Sequence, residues 1–158
     1  MKVLDQIYVN GSWRAATGDV TLEAINPATE QPCARIVRAS AQDVSIAVQS
    51  ARDAFNQFAD APKALRLELL GNVIEQYKKR YDDVAQAITE EMGAPIALSV
   101  EAQADAGLGH LQATYDVLKD FRFEEQRREQ LQIRKEPVGV CAFITPWNWP
   151  INQIACKV

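Results

Sequence analysis

The chain has 158 residues, 47% of them hydrophobic and 24% charged, enough for one domain with a sizeable core. Its 17 basic and 21 acidic residues leave a net charge of -4, which gives no reason to expect nucleic acid or an anionic membrane surface as a partner. No apolar run approaches the ~20 residues of a membrane helix, and Asp5 and Gln6 interrupt any signal-like hydrophobic start.

Cys33, Cys141 and Cys156 lie far apart, with no CxxC or Cys/His metal spacing, and His110 is the single histidine. A metal site or a Ser-His-Asp triad therefore has little material. The sequon at Asn10-Gly11-Ser12 reads as a turn, and the expected setting is a reducing cytoplasm.

In chain order, the first stretch is β-like. Ile7-Tyr8-Val9 and Ser12-Trp13-Arg14 flank Asn10-Gly11, a strong two-residue hairpin signal because both turn positions need positive φ. Thr21–Ile25 and Cys33–Val37 follow, separated by Asn26-Pro27-Ala28-Thr29, and predict one small antiparallel sheet through about residue 38. Ser40 with Asp43 resembles a capping box. Val44, Ala47, Val48, Ala51, Ala54, Phe55 and Phe58 then recur at helical spacing. A second helix is expected from Pro62, as a first-turn residue, burying Leu69, Leu70, Val73, Ile74, Tyr77 and Tyr81. A third runs from Asp82 to Met92 and stops at Gly93 and Pro95. A fourth carries Ile96, Val100, Leu108, Leu111, Tyr115 and Leu118.

The charged run Glu124–Glu129 reads as a solvated connection, and Leu131–Lys135 as a half-exposed strand. Val138–Ile144 is a continuous apolar run, which is the pattern of a strand covered on both faces in a parallel sheet. Thr145-Pro146-Trp147-Asn148-Trp149-Pro150 turns the chain, and Ile151, Ile154, Ala155 and Val158 begin a helix. Ligands of open α/β sheets bind at the carboxyl ends of such strands, beside helix N-termini that favour anions. Residues 145–148 occupy that place; packing alone is the alternative reading. An unpaired strand at 138–144 would also be an aggregation hazard, so neighbours from further sequence or another chain are expected.

The residues of this turn resemble a known family. Glu136-Pro137-Val138-Gly139-Val140, Ile144–Pro150 and Lys157 are similar to the aldehyde dehydrogenase superfamily. Val9–Trp13, Asn26–Thr29, the Ala51/Ala54/Phe55 helix, Arg66 and Gly93-Ala94-Pro95 fall in the same order, so the likeness covers nearly the whole chain. Phe58 in place of a more usual Trp, and Ala94 in place of Lys, are departures outside the chemistry. The resemblance implies an α/β fold of N-terminal type: a small antiparallel sheet, helices and a first Rossmann-type strand-turn-helix, cut short. Its parts would be residues 1–125, the hairpin, sheet and helical portion of the cofactor domain; 126–137, a bridging and oligomerisation strand; and 138–158, the start of the dinucleotide-binding core.

In that family a cysteine thiolate attacks an aldehyde, hydride passes to NAD or NADP, and the thioester is hydrolysed. The resemblance gives Asn148 to the oxyanion hole and Lys157 to a charge-relay position behind the site. It gives Ile144, Thr145, Pro146 and Trp147 to the dinucleotide. The alternatives are a helix cap for Asn148, a solvated lysine at 157, and packing for the rest. It further implies a small-molecule aldehyde substrate and a homo-oligomer, dimer or tetramer, with no nucleic acid or membrane partner. Cys156 reads as a small buried hydrophobe, and Gly107-Leu108-Gly109, inside a helical stripe with no strand before it, is not a dinucleotide fingerprint.

The family's nucleophile lies in Gly-Gln-x-Cys and its general base in Glu-Leu-Gly-Gly. None of the 7 glycines here precedes Gln or another Gly. The chain alone is thus expected to be inactive, and a non-catalytic truncated product or interaction module is the rival reading.

Overall fold

The computed structural model describes residues 1–158. Five strands come first: β1 (Lys2–Leu4), β2 (Gln6–Val9), β3 (Ser12–Ala15), β4 (Thr21–Asn26) and β5 (Gln31–Val37). Strands β2 and β3 form the expected hairpin, with Asn10 and Gly11 at φ 52° and 75°, the paired positive values that suit the right-handed twist of both strands. Tyr8 faces Trp13 across it, their rings edge to face at 5.2 Å between centroids.

The single antiparallel sheet expected here is two sheets. The hairpin stands apart, and a second sheet has the order β1-β5-β4, with β1 parallel to β5 and β4 antiparallel to it. Only Asp5 separates β1 from β2, too little chain for the two-residue turn of an antiparallel return. Residues 1–9 therefore pass from one sheet into the other.

Helix α1 (Ala41–Phe58) starts with the capping box that Ser40 and Asp43 predict. The Asp43 N–H donates to Ser40 Oγ at 3.1 Å, and Ser40 N–H donates to Asp43 Oδ2 at 2.9 Å. Thr17 adds its N–H at 2.8 Å, so this buried carboxylate also ties the loop after β3 to the helix. The N–H groups of Ser40 and Thr17 hold the Asp43 carboxyl down to about 2.

Helices α2 (Lys63–Lys79) and α3 (Tyr81–Met92) follow, the latter ended by Gly93 at φ 78°. Pro62 lies one residue before α2, as its cap, rather than inside the first turn. A short helix α4 (Ile96–Leu98) runs through a π-helical stretch, Ser99–Ala104, into α5 (Asp105–Asp120). Hydroxyls of Tyr81 and Tyr77 donate to the carbonyls of Val100 and Ala104 at 2.6 and 2.7 Å, clamping this widened stretch to its neighbours. Burial pushes the Tyr77 phenol up to about 12.

A buried apolar cluster joins Ile74 of α2, Leu111 of α5 and Ala155 of α6 (Pro150–Ala155), flanked by Leu70, Tyr77, Leu108 and Tyr115. Part of each expected stripe remains outside. Val44 and Phe58 of α1, and Leu69 and Val73 of α2, are exposed, because no element of the chain covers those faces.

Gly107 lets α6 approach α5. A Cβ at this position would lie 2.7 Å from the Tyr77 hydroxyl and 2.9 Å from Ile151 Cγ1. Overpacking of this kind costs ~1–3 kcal/mol, against a helix-propensity gain of ~1 kcal/mol. Gly107→Ala is therefore expected to lower the melting midpoint, and a raised midpoint would show that α6 does not rest on α5.

The charged run expected to be a solvated connection is a strand. Strands β6 (Glu124–Arg128) and β7 (Leu131–Arg134) form a hairpin, with a register shift between Gln126 and Arg128. Both of its faces are wet, so alternation of charge with charge hid the period of two. By contrast, Val138–Ile144 forms no strand. A parallel ladder needs a second strand brought back by a crossover, and the chain offers none. Val138 is 94% exposed, Ile144 97% and Trp147 79%. Apolar surface of this kind drives association, so the isolated chain is expected to self-associate in sedimentation velocity. A monodisperse monomer would contradict that expectation.

Candidate functional site

The turn at 144–149 is positioned from its far side. Ala155 anchors α6 in the core, Ile151 sits against Gly107, and Pro150 takes the first helical position, where its fixed φ suits the helix. Trp149 is the residue before the helix, in the left-handed region at φ 51° and ψ 54°, and no side chain caps the helix. The helix-cap alternative for Asn148 therefore has no hydrogen bond behind it. Asn148 is exposed, and its amide is available to a ligand.

The helix has 6 residues and begins with a proline, so it offers neither the length nor the full set of N–H groups that an anion site at its N-terminus would use. What the turn offers is neutral surface. Thr145, Pro146 and Trp147 line an open groove of about 790 Å³. Val84, Ala87, Ile88 and Met92 of α3 also line it, with Pro27 and with Ile151 and Ile154 of α6. Glu91 is the one charged residue lining it.

Of the residues singled out in the sequence, Thr145, Pro146 and Trp147 thus come together in the groove. Ile144 and Asn148 are exposed on the same turn but outside its lining. Lys157 is turned onto its own helix, donating to the Gln153 carbonyl at 2.9 Å and to Gln153 Oε1 at 3.1 Å. A cation there complements the helix's last carbonyls. The Cys156 thiol is exposed, 3.5 Å from the Lys157 amine, which corrects its reading as a buried hydrophobe. The α3 lining was missed from sequence: that segment reads only as a helix from Asp82 to Met92, and nothing local marks Val84, Ala87 and Ile88 as lining a groove. No three His, Cys, Asp or Glu side chains gather as a metal-ligand set, and no helix is long and apolar enough to cross a membrane.

Comparison with known proteins bears on this arrangement. The model of the aldehyde dehydrogenase family matches residues 13–158. A 3-succinoylsemialdehyde-pyridine dehydrogenase from a Pseudomonas species is 44% identical over all of this chain and 33% of its own length. The chain thus spans about a third of the curated relatives it matches. Among solved structures, an aldehyde dehydrogenase from Bartonella henselae superposes with a TM-score of 0.94 at 34% identity, over 98% of this chain and 33% of that one. An aldehyde dehydrogenase from Pseudomonas syringae, solved with NAD+ and octanal, superposes with a TM-score of 0.91 at 37% identity, over 96% and 31%.

Proposed function

Since the chain belongs to the aldehyde dehydrogenase family, its fold that of the N-terminal part of the family's structures, we propose that it serves an enzyme oxidising an aldehyde to a carboxylic acid with NAD+ or NADP+. The observation that carries this reading is the turn before α6, where Asn148 caps nothing and stands exposed beside the groove.

Chemically, attack by a thiolate on an aldehyde turns the carbonyl oxygen into an oxyanion as the carbon–sulfur bond forms. An amide N–H held toward that oxygen stabilises the charged state more than the neutral one. Asn148 supplies such a donor, neutral at every working pH. The thiolate and the base that activates water for thioester hydrolysis are not supplied by the motifs of this chain.

The residues present fit the neutral parts of a dinucleotide. Ile144, Thr145, Pro146 and Trp147 are exposed and uncharged, and three of them line a groove of about 790 Å³. They would hold it through backbone and ring contacts, while the phosphates would find their cations elsewhere. The dinucleotide, when bound, accepts the hydride that leaves the aldehyde carbon. The Pseudomonas syringae complex supports NAD+ in this role. Lys157, whose amine donates to Gln153, is the residue we assign to holding a positive charge behind the site. Hairpin β6–β7, with both outer edges unpaired, is the part we assign to subunit bridging in a dimer or tetramer. The three free thiols suit a reducing cytoplasm.

A family-length protein carrying residues 1–158 is expected to form NADH with short and aromatic aldehydes. The 158-residue chain by itself is expected to form none at high concentration. Turnover by the short chain that Cys156→Ala abolishes would overturn this assignment and make Cys156 a nucleophile.

A further inference from the structure

One part of the helical region departs from α geometry. Ser99–Ala104 is π-helical, with α4 before it and α5 after it. Its sequence, Ser-Val-Glu-Ala-Gln-Ala, holds no proline or glycine that would force the change. The reason lies in what its two ends face. Ser99 and Ala104, five residues apart, are both fully buried. On a regular α-helix they would point about 140° apart, whereas a π turn brings residues five apart onto one face.

That buried face meets both of the helices that line the groove. The stretch packs against α3 and against α6, which hardly touch each other directly. From α3, Thr89 Oγ1 donates to Ser99 Oγ at 2.9 Å and the Tyr81 hydroxyl donates to the Val100 carbonyl at 2.6 Å. At the other end, the Tyr77 hydroxyl holds the Ala104 carbonyl at 2.7 Å, one turn before Gly107, on which Ile151 of α6 rests. Val84, Ala87 and Ile88 of α3, and Ile151 and Ile154 of α6, are groove residues. A second observation shows that the stretch is not optimised for stability. Gln103 is buried within it, and its carboxamide oxygen has no hydrogen-bond partner, which is destabilising. Local rules broken at a cost in stability are characteristic of functional sites, and single π turns are often found there.

We propose that the π-helical stretch Ser99–Ala104 is a spacer that sets the separation of α3 and α6 across the groove, and so governs how tightly the dinucleotide is held. The inference rests on the reading of the groove as the dinucleotide's. It gives Thr89, Tyr77 and Tyr81 positioning roles: they hold the stretch in register and do not touch the ligand.

The test removes the π turn from a family-length protein carrying residues 1–158. Glu101 is exposed, and deleting it leaves Ser99 and Ala104 four apart, about 40° from each other on a regular α-helix, so both still face inward. The protein is expected to fold, with its unfolding midpoint unchanged or raised. The dissociation constant for NAD+, read by calorimetry, is expected to weaken about tenfold or more, what withdrawing one apolar side chain from a ligand costs. Trp147→Ala, on the groove itself, is expected to weaken NAD+ as well. Combined with the Glu101 deletion it is expected to cost less than the two separate losses together, because both act on the same contact. Tyr77→Phe with Tyr81→Phe, which keeps both rings and removes both donors, is expected to weaken NAD+ about fivefold, the equivalent of one net hydrogen bond.

A folded deletion variant with unchanged NAD+ affinity overturns the inference, whether or not its midpoint falls, because the stretch then serves packing alone. Full additivity with Trp147→Ala overturns it too. Should the deletion variant not fold, the paired tyrosine variant decides, and unchanged NAD+ affinity is the contrary result. If Trp147→Ala by itself leaves NAD+ affinity intact, the groove reading fails first and takes this inference with it.

Discussion

Asn148→Ala in a family-length protein is expected to lower kcat by at least ~10²-fold, the low end for removing one oxyanion donor from a preorganised site. The Michaelis constant for NAD+ is expected to change little, because Ile144–Trp147 keep their backbone. The physical reason lies in where the amide's interaction strengthens. A neutral carbonyl oxygen gains one ordinary hydrogen bond from it, whereas an alkoxide shielded from water gains a charge-assisted one. Only the difference between the two speeds the reaction. A helix cap would behave differently: its loss costs ~0.5–2 kcal/mol of stability and leaves turnover almost unchanged. Since Asn148 makes no cap bond in the structure, the unfolding midpoint is expected to hold while kcat falls. A lowered midpoint with normal kcat would reverse the assignment.

Leu111→Ala is expected to be the most destabilising simple truncation in the chain, at ~2–5 kcal/mol by urea denaturation. Leu111 is 4% exposed and lies where α2, α5 and α6 meet, against Ile74 and Ala155. Much of the other apolar surface is wet: Val44, Leu69, Val73 and Val117 are all exposed. Little other packing is available to offset the cavity, so the loss is expected toward the upper end. Because Ala155 shares the cluster, the same truncation would also loosen the seat of α6 and the turn that precedes it. A cost below ~1 kcal/mol would mean that the three helices do not share one core.

The sequence made the local devices legible and left the long-range ones obscure. Asn10-Gly11, the Ser40–Asp43 box and Gly93 each act within a few residues, and each is found where its chemistry requires. The capping box went further than expected, since Asp43 also takes the N–H of Thr17, 26 residues away, a contact no local pattern announces. Strand pairing was the weaker part. The single residue between β1 and β2 rules out a turn that would pair them but does not announce that β1 runs parallel to β5, and β6 hides its alternation because both faces meet water.

At the turn, Thr145, Pro146 and Trp147 were singled out from sequence and come together in the groove, while Ile144 and Asn148 lie outside its lining. The α3 residues of the lining were not legible in this way. Val84, Ala87 and Ile88 satisfy a helical stripe equally well whether a helix or a groove faces them. Equally, nothing in Asn148-Trp149-Pro150 as a string foretells the left-handed Trp149.

The central claim is that the 144–149 turn of this chain serves oxyanion chemistry and not packing, and Asn148→Asp tests it most directly. Aspartate is nearly isosteric with asparagine and as good a cap, so the folded protein is expected to survive with its unfolding midpoint and NAD+ affinity intact. It has no N–H to donate, and its carboxylate would place a negative charge against the developing oxyanion. Measured as aldehyde-dependent NADH formation by the family-length protein, kcat is expected to fall at least as far as in Asn148→Ala, by ~10²-fold or more. An Asn148→Asp protein that turns over aldehyde at a near-normal rate would contradict the account.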